Sequence, residues 1–213
     1  MTTVRYRAEE LDDLPKRRRA ALVNSISGFK PANLIGTCDR DRRSNLAIMT
    51  SLVHLGSAPP LLGLILRPDS VERHTLANIR NTGAYTVNHV HSSFFEAAHQ
   101  TSARYPRERS EFAETGLTED WLPDFAAPFV AQAKIRVGMK LEEELPLKIN
   151  GTFLLIGSVQ VLEAPESAFD AGGALDLQEA DSVAVSGLDT YYAAQRLARL
   201  SYAKVDEGLQ ILK

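Results

Sequence analysis

Hydrophobic and polar positions alternate most regularly in the C-terminal half of the chain. Over residues 133–141, apolar side chains occupy every second position and Lys134, Arg136 and Lys140 lie between them. This period of two predicts a strand with one buried and one solvent-exposed face. The pair Asn150-Gly151 then predicts a type I′ hairpin turn, which needs positive φ at both central residues. A second long strand is predicted over residues 152–162.

Four shorter strands are predicted before this hairpin. Residues 33–38 and 45–49 flank a charged turn, which predicts an antiparallel pair. The continuously apolar run 61–66 predicts a strand covered on both faces, and residues 84–88 alternate as one more strand. Six strands separated by short helical segments favour a closed or partly closed antiparallel barrel over a parallel α/β sheet.

Short helices are predicted at four places. The basic cluster 16–19 precedes apolar residues 20–23, which predicts a helix with its charges in solvent and its apolar side chains on the core. Capping-box patterns at 69–72 and 93–96 predict two helix starts, the first ending at Gly83. Apolar spacing over 191–200 predicts a C-terminal amphipathic helix.

The helix start near residue 73 is a candidate anion seat. Arg67 ends the apolar strand, and Arg73, His74 and Thr75 lie on the first turns of the predicted helix. Free N–H groups and the positive dipole end of a helix favour an anion, and a guanidinium can donate two parallel hydrogen bonds to it. A phosphate seat is one interpretation and a surface salt bridge of Arg67 is the other. The spacing does not decide between them.

Composition narrows the class of protein. The chain has 213 residues, 44% of them apolar, a formal charge of -3 and a pI near 6.0. These values predict one domain over residues 1–213 and argue against a broad nucleic-acid surface. No run approaches the roughly 18 apolar residues of a membrane span, and the first residues are too charged for a signal peptide. A cytoplasmic protein is expected, with no nucleic acid or membrane partner.

Familiar catalytic motifs are mostly missing from the sequence. It contains no GxGxxG after a strand, no GxxxxGK[ST], no HExxH and no GxSxG. His89 and His91 form an HxH pair without a third ligand at a familiar spacing, so no metal is expected. Cys38 is a single cysteine, interpreted as a small buried hydrophobe. A cofactor that brings its own chemistry fits this composition better than catalysis by side chains alone.

An ordered set of short segments resembles one known family. The segments are 32–37, 45–47 with Thr50-Ser51, 56–63 followed by Arg67-Pro68, His74-Thr75 with Asn78-Ile79, 82–88 and 98–103, and the resemblance extends from residue 22 to residue 202. Together they resemble the flavin reductase family, which has the FMN-binding split-barrel fold.

The resemblance implies a mainly β protein with short helices, a Greek-key split β-barrel, that forms a homodimer and binds FMN near the subunit boundary. Thr50 and Ser51 would present backbone and hydroxyl groups to the flavin ring, and Arg67, His74 and Thr75 would hold the phosphate. Because the family often has a basic residue where His74 stands, phosphate binding is expected to weaken at higher pH. The full set of implied cofactor-binding residues is Asn45, Ala47, Met49, Thr50, Ser51, Leu52, Arg67, Arg73, His74, Thr75 and Asn78.

The activity implied by the resemblance is hydride transfer from NADH or NADPH to the flavin, with a monooxygenase as a candidate partner. No catalytic acid or base is assigned. Some family members have a histidine near the nicotinamide, whereas residues 186–192 have none. Two alternatives stay open: an FMN-binding electron carrier without NAD(P)H turnover, and an interaction barrel with an empty groove.

Overall fold

A computed structural model describes residues 2–68 and 73–212. The helices are α1 (Ala8–Asp12), α2 (Lys16–Ser25), α3 (His74–Thr82), α4 (Phe95–Gln100) and α5 (Glu111–Thr115). The strands are β1 (Lys30–Pro31), β2 (Asn33–Cys38), β3 (Ser44–Met49), β4 (Leu52–Ser57), β5 (Pro60–Leu66), β6 (Ala84–His89), β7 (Glu119–Asp120), β8 (Phe129–Val130), β9 (Arg136–Leu147), β10 (Thr152–Glu163), β11 (Val183–Ser186), β12 (Thr190–Ala193), β13 (Arg199–Leu200) and β14 (Ile211–Leu212). Within these residues no helix is long and apolar enough to cross a bilayer.

Seven strands form one antiparallel sheet in the order β3-β2-β6-β9-β10-β5-β4. Its edge strands, β3 and β4, are consecutive in the chain and separated only by Thr50 and Ser51. Because so short a connection cannot cross a flat sheet, the sheet must curl until its two edges meet at these residues. The mainly β antiparallel fold with short helices is therefore confirmed, as an open, strongly curled sheet.

A hydrophobic core lies on each face of this sheet. Neighbouring residues of β2 point to opposite faces, so Leu34 and Ile35 belong to different cores. Ile35 packs inside the curl, where α3 contributes Leu76 and Ile79. Leu34 packs on the outer face with side chains from α4, α5 and β11. As a result, α3 is fixed across the inner face of β2.

The helix that carries the candidate anion seat ends as predicted. Gly83 has a φ of 71° and its N–H donates to the Ile79 carbonyl at 2.8 Å, so it caps α3 in the left-handed conformation. Arg73 is the N-cap residue and His74 the first helical residue. The capping box predicted at 69–72 lies outside the described residues.

Two details of the predicted strands are wrong. β9 and β10 form the predicted hairpin, but Leu147 pairs with Thr152 and only Gly151 in the turn has positive φ. The loop is therefore a four-residue turn, with the N–H of Gly151 bonded to the Leu147 carbonyl at 2.8 Å. β5 is not covered on both faces, because Ile65 is exposed.

The helices predicted near the two ends of the chain also differ from the structure. The helix predicted over 191–200 is absent: β12 pairs with β11, and β13 follows after five residues of irregular chain. Backbone pairing with a neighbouring strand outweighs the helical spacing of the apolar residues there. The N-terminal helix α2 forms where predicted, but none of its residues is buried, so it does not dock on the core.

Gly36 provides a test of the packing between β2 and its cover. A Cβ at this position would overlap the Pro128 carbonyl oxygen and the Thr86 hydroxyl, so backbone must move to admit it. We expect Gly36→Ala to lower the free energy of unfolding in urea by about 2 kcal/mol or more. Gly208→Ala, where a Cβ meets nothing within 4 Å, is the control and should change it by less than about 0.5 kcal/mol. Equal stabilities of the two variants would contradict the described packing.

Candidate functional site

The outer edge of β3 is covered by side chains at two of three successive positions. The N–H of Leu46 donates to Oε2 of Glu111 at 3.0 Å, and the N–H of Ile48 donates to Oγ1 of Thr101 at 2.9 Å. Outward N–H groups recur at every second residue of an edge strand, so the next belongs to Thr50. The Thr50 N–H has no acceptor within residues 2–68 and 73–212.

The corner that follows is held to β5. The hydroxyl of Ser51 donates to the Ile65 carbonyl at 2.5 Å, and the Ile65 N–H donates to the Ser51 carbonyl at 3.2 Å. Met49 and Leu52, on either side, are half-buried against the inner core. The corner thus combines a fixed backbone with partly exposed apolar side chains.

A buried polar cluster lies further along the inner face of β3. The hydroxyl oxygen of Thr37 accepts from Nδ2 of Asn45 and from Nδ2 of Asn78, each at 3.2 Å. Asn45 Nδ2 also donates to Oγ1 of Thr75 at 3.1 Å. Oδ1 of Asn78 is buried and has no hydrogen-bond partner among the described residues. This unused acceptor indicates that the cluster is incomplete by itself.

His74 lies at the mouth of this cluster, at the start of α3. It lines a small polar niche together with Asn45, Asn78, Arg107 and Glu111. Arg73 precedes it and donates from Nε to the Pro68 carbonyl at 3.1 Å. No described side chain caps the first N–H groups of α3. The niche therefore joins a helix start to cationic, amide and carboxylate side chains, and the helix start with cations beside it suits an anion.

Arg67 is placed differently from the other predicted phosphate ligands. It is exposed at the end of β5, and no described hydrogen bond joins it to the polar cluster. Its charge adds to the effect of burial in lowering the pKa of Lys30. The Lys30 ammonium donates to the carbonyls of Asn24 and Gly187 at 2.9 and 2.7 Å.

The predicted residues other than Arg67 thus lie along β3, at the corner that follows it and at the start of α3. Asn45, Thr75 and Asn78 are joined by hydrogen bonds, with His74 and Arg73 beside them. Ala47 is half-buried on β3 between this cluster and the corner that contains Met49, Thr50, Ser51 and Leu52. Arg67 stands apart. Asn45 and Met49 are separated by about 13 Å of strand, so the edge has a polar end at the start of α3 and a partly apolar end at the corner.

Three residues of this arrangement were not predicted. Thr37 is the common acceptor of the cluster, and its place on the face of Ile35 follows from strand alternation once β2 is assigned. Glu111 and Thr101 hold the edge of β3 from 65 and 53 residues away. No local signal in the sequence indicates those two contacts.

Comparison with known proteins identifies the family of this chain. The profile of the flavin reductase like domain matches residues 27–190, which is most of the chain. The chain therefore belongs to the flavin reductase like domain family. The resemblance drawn from the short segments is confirmed.

Three solved structures are similar over almost the whole chain. A Shewanella frigidimarina NCIMB 400 protein assigned to the flavin reductases with a split barrel domain is 49% identical, with a TM-score of 0.91 over 94% of this chain and 100% of that one. Nitrilotriacetate monooxygenase component B from Bacillus cereus is 19% identical, with a TM-score of 0.82 over 94% and 100%. An FMN-binding protein from Thermus thermophilus is 16% identical, with a TM-score of 0.71 over 93% and 100%. The last two support the fold alone.

Glu111 generates a pH-dependent prediction. Burial raises the pKa of this carboxyl, while the Leu46 N–H and the charge of His74 act against that rise. The folded chain then binds the proton more tightly than the unfolded chain, so this contribution to stability falls as pH rises above about 4. Glu111→Gln keeps an acceptor for Leu46 but cannot ionise. We expect its free energy of unfolding, relative to the wild type, to increase from pH 4 to pH 7.

Glu114→Gln is the control for this titration. The Arg109 guanidinium lowers the pKa of Glu114, so loss of that carboxylate should act with the opposite sign, in the range below about pH 4. Denaturant unfolding at several pH values measures both variants. A relative stability of Glu111→Gln that falls with pH would mean that the fold favours the ionised carboxylate.

Proposed function

We propose that this protein is an FMN-binding oxidoreductase that transfers hydride from NADH or NADPH to its flavin. The observation that carries this proposal is the edge of β3, which leaves the Thr50 N–H free between a fixed corner and an incomplete polar cluster. Membership of the flavin reductase like domain family supports the same function.

The phosphate end of FMN would lie at the start of α3. The first N–H groups of that helix and the hydroxyl of Thr75 can donate to phosphate oxygens, and His74 adds charge-assisted hydrogen bonding when it is protonated. Arg73, as the N-cap residue, is near enough to contribute. Asn45 and Asn78 hold Thr75 through the shared hydrogen-bond network around Thr37.

The ring end would lie against the corner. Thr50 would donate its backbone N–H to a ring acceptor, and Met49 and Leu52 would exclude water from one side of the ring. Ser51 is already bonded to Ile65, so its part is to fix the backbone at that point. The flavin supplies the electron-transfer chemistry when bound, and the protein orients and shields it. No side chain is required as a general acid or base.

The assembly belongs to the same proposal. We expect a homodimer, because the described surface leaves a row of apolar side chains on β4, β5 and β9 in solvent. A monooxygenase partner is supported by the fold shared with the Bacillus cereus monooxygenase component. Such a partner would receive electrons or the reduced flavin.

One observation favours the electron-carrier alternative. Residues 186–192 have no histidine, and the Tyr191 hydroxyl in that segment is hydrogen-bonded to Nδ1 of His99 at 3.0 Å. Stopped-flow mixing of the FMN-loaded protein with NADH and with NADPH separates the two functions. Rapid bleaching of the flavin spectrum supports the reductase. An unchanged spectrum, in protein that binds FMN and is reduced by dithionite, supports the carrier.

A pair of ligands tests the position of the phosphate. Riboflavin has the ring of FMN but lacks the phosphate, so His74→Ala should weaken FMN binding by about tenfold or more and leave riboflavin nearly unchanged, since a charge-assisted hydrogen bond is worth about 1.5–3 kcal/mol. Fluorescence quenching of the flavin measures both dissociation constants. His54→Ala, an exposed histidine on β4, is the matched control.

Arg67→Ala gives the second half of this test. If Arg67 reaches the phosphate, its loss will also weaken FMN selectively. Equal loss of FMN and riboflavin in both variants would mean that the phosphate lies elsewhere.

A further inference from the structure

The last part of the chain forms an arm with apolar side chains in solvent. Residues 196–212, here called the arm, include the small β13-β14 hairpin. Leu197, Tyr202 and Val205 are 98%, 90% and 101% exposed, and Leu209 and Ile211 are also exposed. The matched family domain ends at residue 190, before the arm begins. These side chains contribute nothing to the cores of their own subunit.

The arm is nevertheless held in a defined position. Arg196 forms an ion pair with Asp176, and its backbone N–H donates to Oε1 of Gln178 at 2.8 Å. Arg199 forms a second ion pair with Asp170 at 2.9 Å. Two Arg-Asp contacts at the base of the arm fix its direction. An anchored strip of exposed apolar side chains is typical of an interaction surface.

A second apolar surface is exposed on the outer face of the curled sheet. Ile65 is paired with Leu154 and Leu154 with Leu145, so these three lie side by side across β5, β10 and β9. Val53 and Leu55 of β4 meet Leu154 around Gly63. We call these five residues the sheet patch. It borders the candidate site, because the Ile65 carbonyl accepts from Ser51.

The arm and the sheet patch lie far apart on one subunit. The segment that anchors the arm packs through Ala168 and Ala180 on Ile135, at the start of β9. Leu145, in the sheet patch, is ten residues further along the chain, about 30 Å along the strand. Val205 of the arm and Leu145 of the patch are both exposed, so one copy does not cover its own patch with its own arm.

We infer that the arm of one copy covers the sheet patch of a second copy. A two-fold dimer pairs unlike surfaces reciprocally, so each arm meets the other patch and both apolar surfaces are buried together. The 17 residues of the arm and the five of the patch come to about 22 per copy, within the roughly 20–30 per side of a stable interface. This inference rests on the proposed homodimer and specifies how it is built.

The first test measures dimer dissociation by analytical ultracentrifugation. Val205→Asp should raise the dimer dissociation constant by at least about tenfold, because it places a charge at a buried apolar contact. Leu145→Asp should do the same from the opposite surface. Gln195→Asp adds the same charge at an exposed polar position just before the arm and should leave the constant unchanged. A wild-type chain that is monomeric, or a Val205→Asp variant that dimerises as the wild type does, overturns the inference.

A second measurement identifies which copy receives the arm. Chains carrying Val205→Cys and Leu145→Cys are given different tags, co-expressed and treated with a short bifunctional maleimide. The native Cys38 is buried. A pair of tagged wild-type chains measures any cross-linking through Cys38. Cross-linked product that carries both tags supports exchange of arms between copies. Absence of that product, or a link formed only within one chain carrying both cysteines, overturns it.

The same samples separate this inference from the proposed function. FMN titration of the wild-type chain tests flavin binding without reference to the arm. If the chain does not bind FMN but the cross-linking and the dimer dissociation constants are as expected, the proposed function is wrong and the inference about the arm stands. If the chain binds FMN and Val205→Asp does not change the dimer dissociation constant, the inference about the arm is wrong and the proposed function stands.

Discussion

Thr50 and Ser51 join the two edge strands of a seven-stranded sheet. Consecutive antiparallel strands are usually neighbours in a sheet, yet here β3 and β4 begin and end the order. The connection is too short to cross the sheet, so the sheet must bend back on itself. That bend creates the enclosed inner face on which α3 packs, and it brings the start of α3 beside β3. The candidate site follows from this one connection.

An edge strand has backbone N–H groups without a partner strand. Along β3 these groups differ in whether a side chain accepts their hydrogen bond. Two N–H groups receive side-chain acceptors from α5 and from the end of α4, supplied by Glu111 and Thr101. These contacts also block pairing with another strand, which is the common hazard of an exposed edge. A side-chain acceptor at the third position would fill the site permanently. No described residue accepts the Thr50 N–H, so this position can take an acceptor from outside the chain.

Much of the fold could be predicted from local patterns, whereas the site could be predicted only in pieces. Strand alternation predicted β6 and β9, turn signals predicted β2, β3 and β10, and Gly83 marked the end of α3. The contacts of Glu111 and Thr101 could not be predicted, because they connect residues more than 50 positions apart and leave no periodic trace. The predicted helix over 191–200 failed for a related reason. Its apolar spacing is helical, but β11 offers a backbone partner that a local pattern does not include.

Apolar side chains are exposed both on β5 and near the end of the chain. Ile65 looked like part of a strand covered on both faces, and within one subunit it is not. Leu197 looked like part of one apolar face of a helix, and within one subunit it is 98% exposed. Both patterns encode burial correctly if a second copy supplies the missing cover, because hydrophobic periodicity records that a side chain is buried and not by which chain. The exposure of Ile65 and that of Leu197 then have one physical cause, which is the interface that we infer between the arm and the sheet patch.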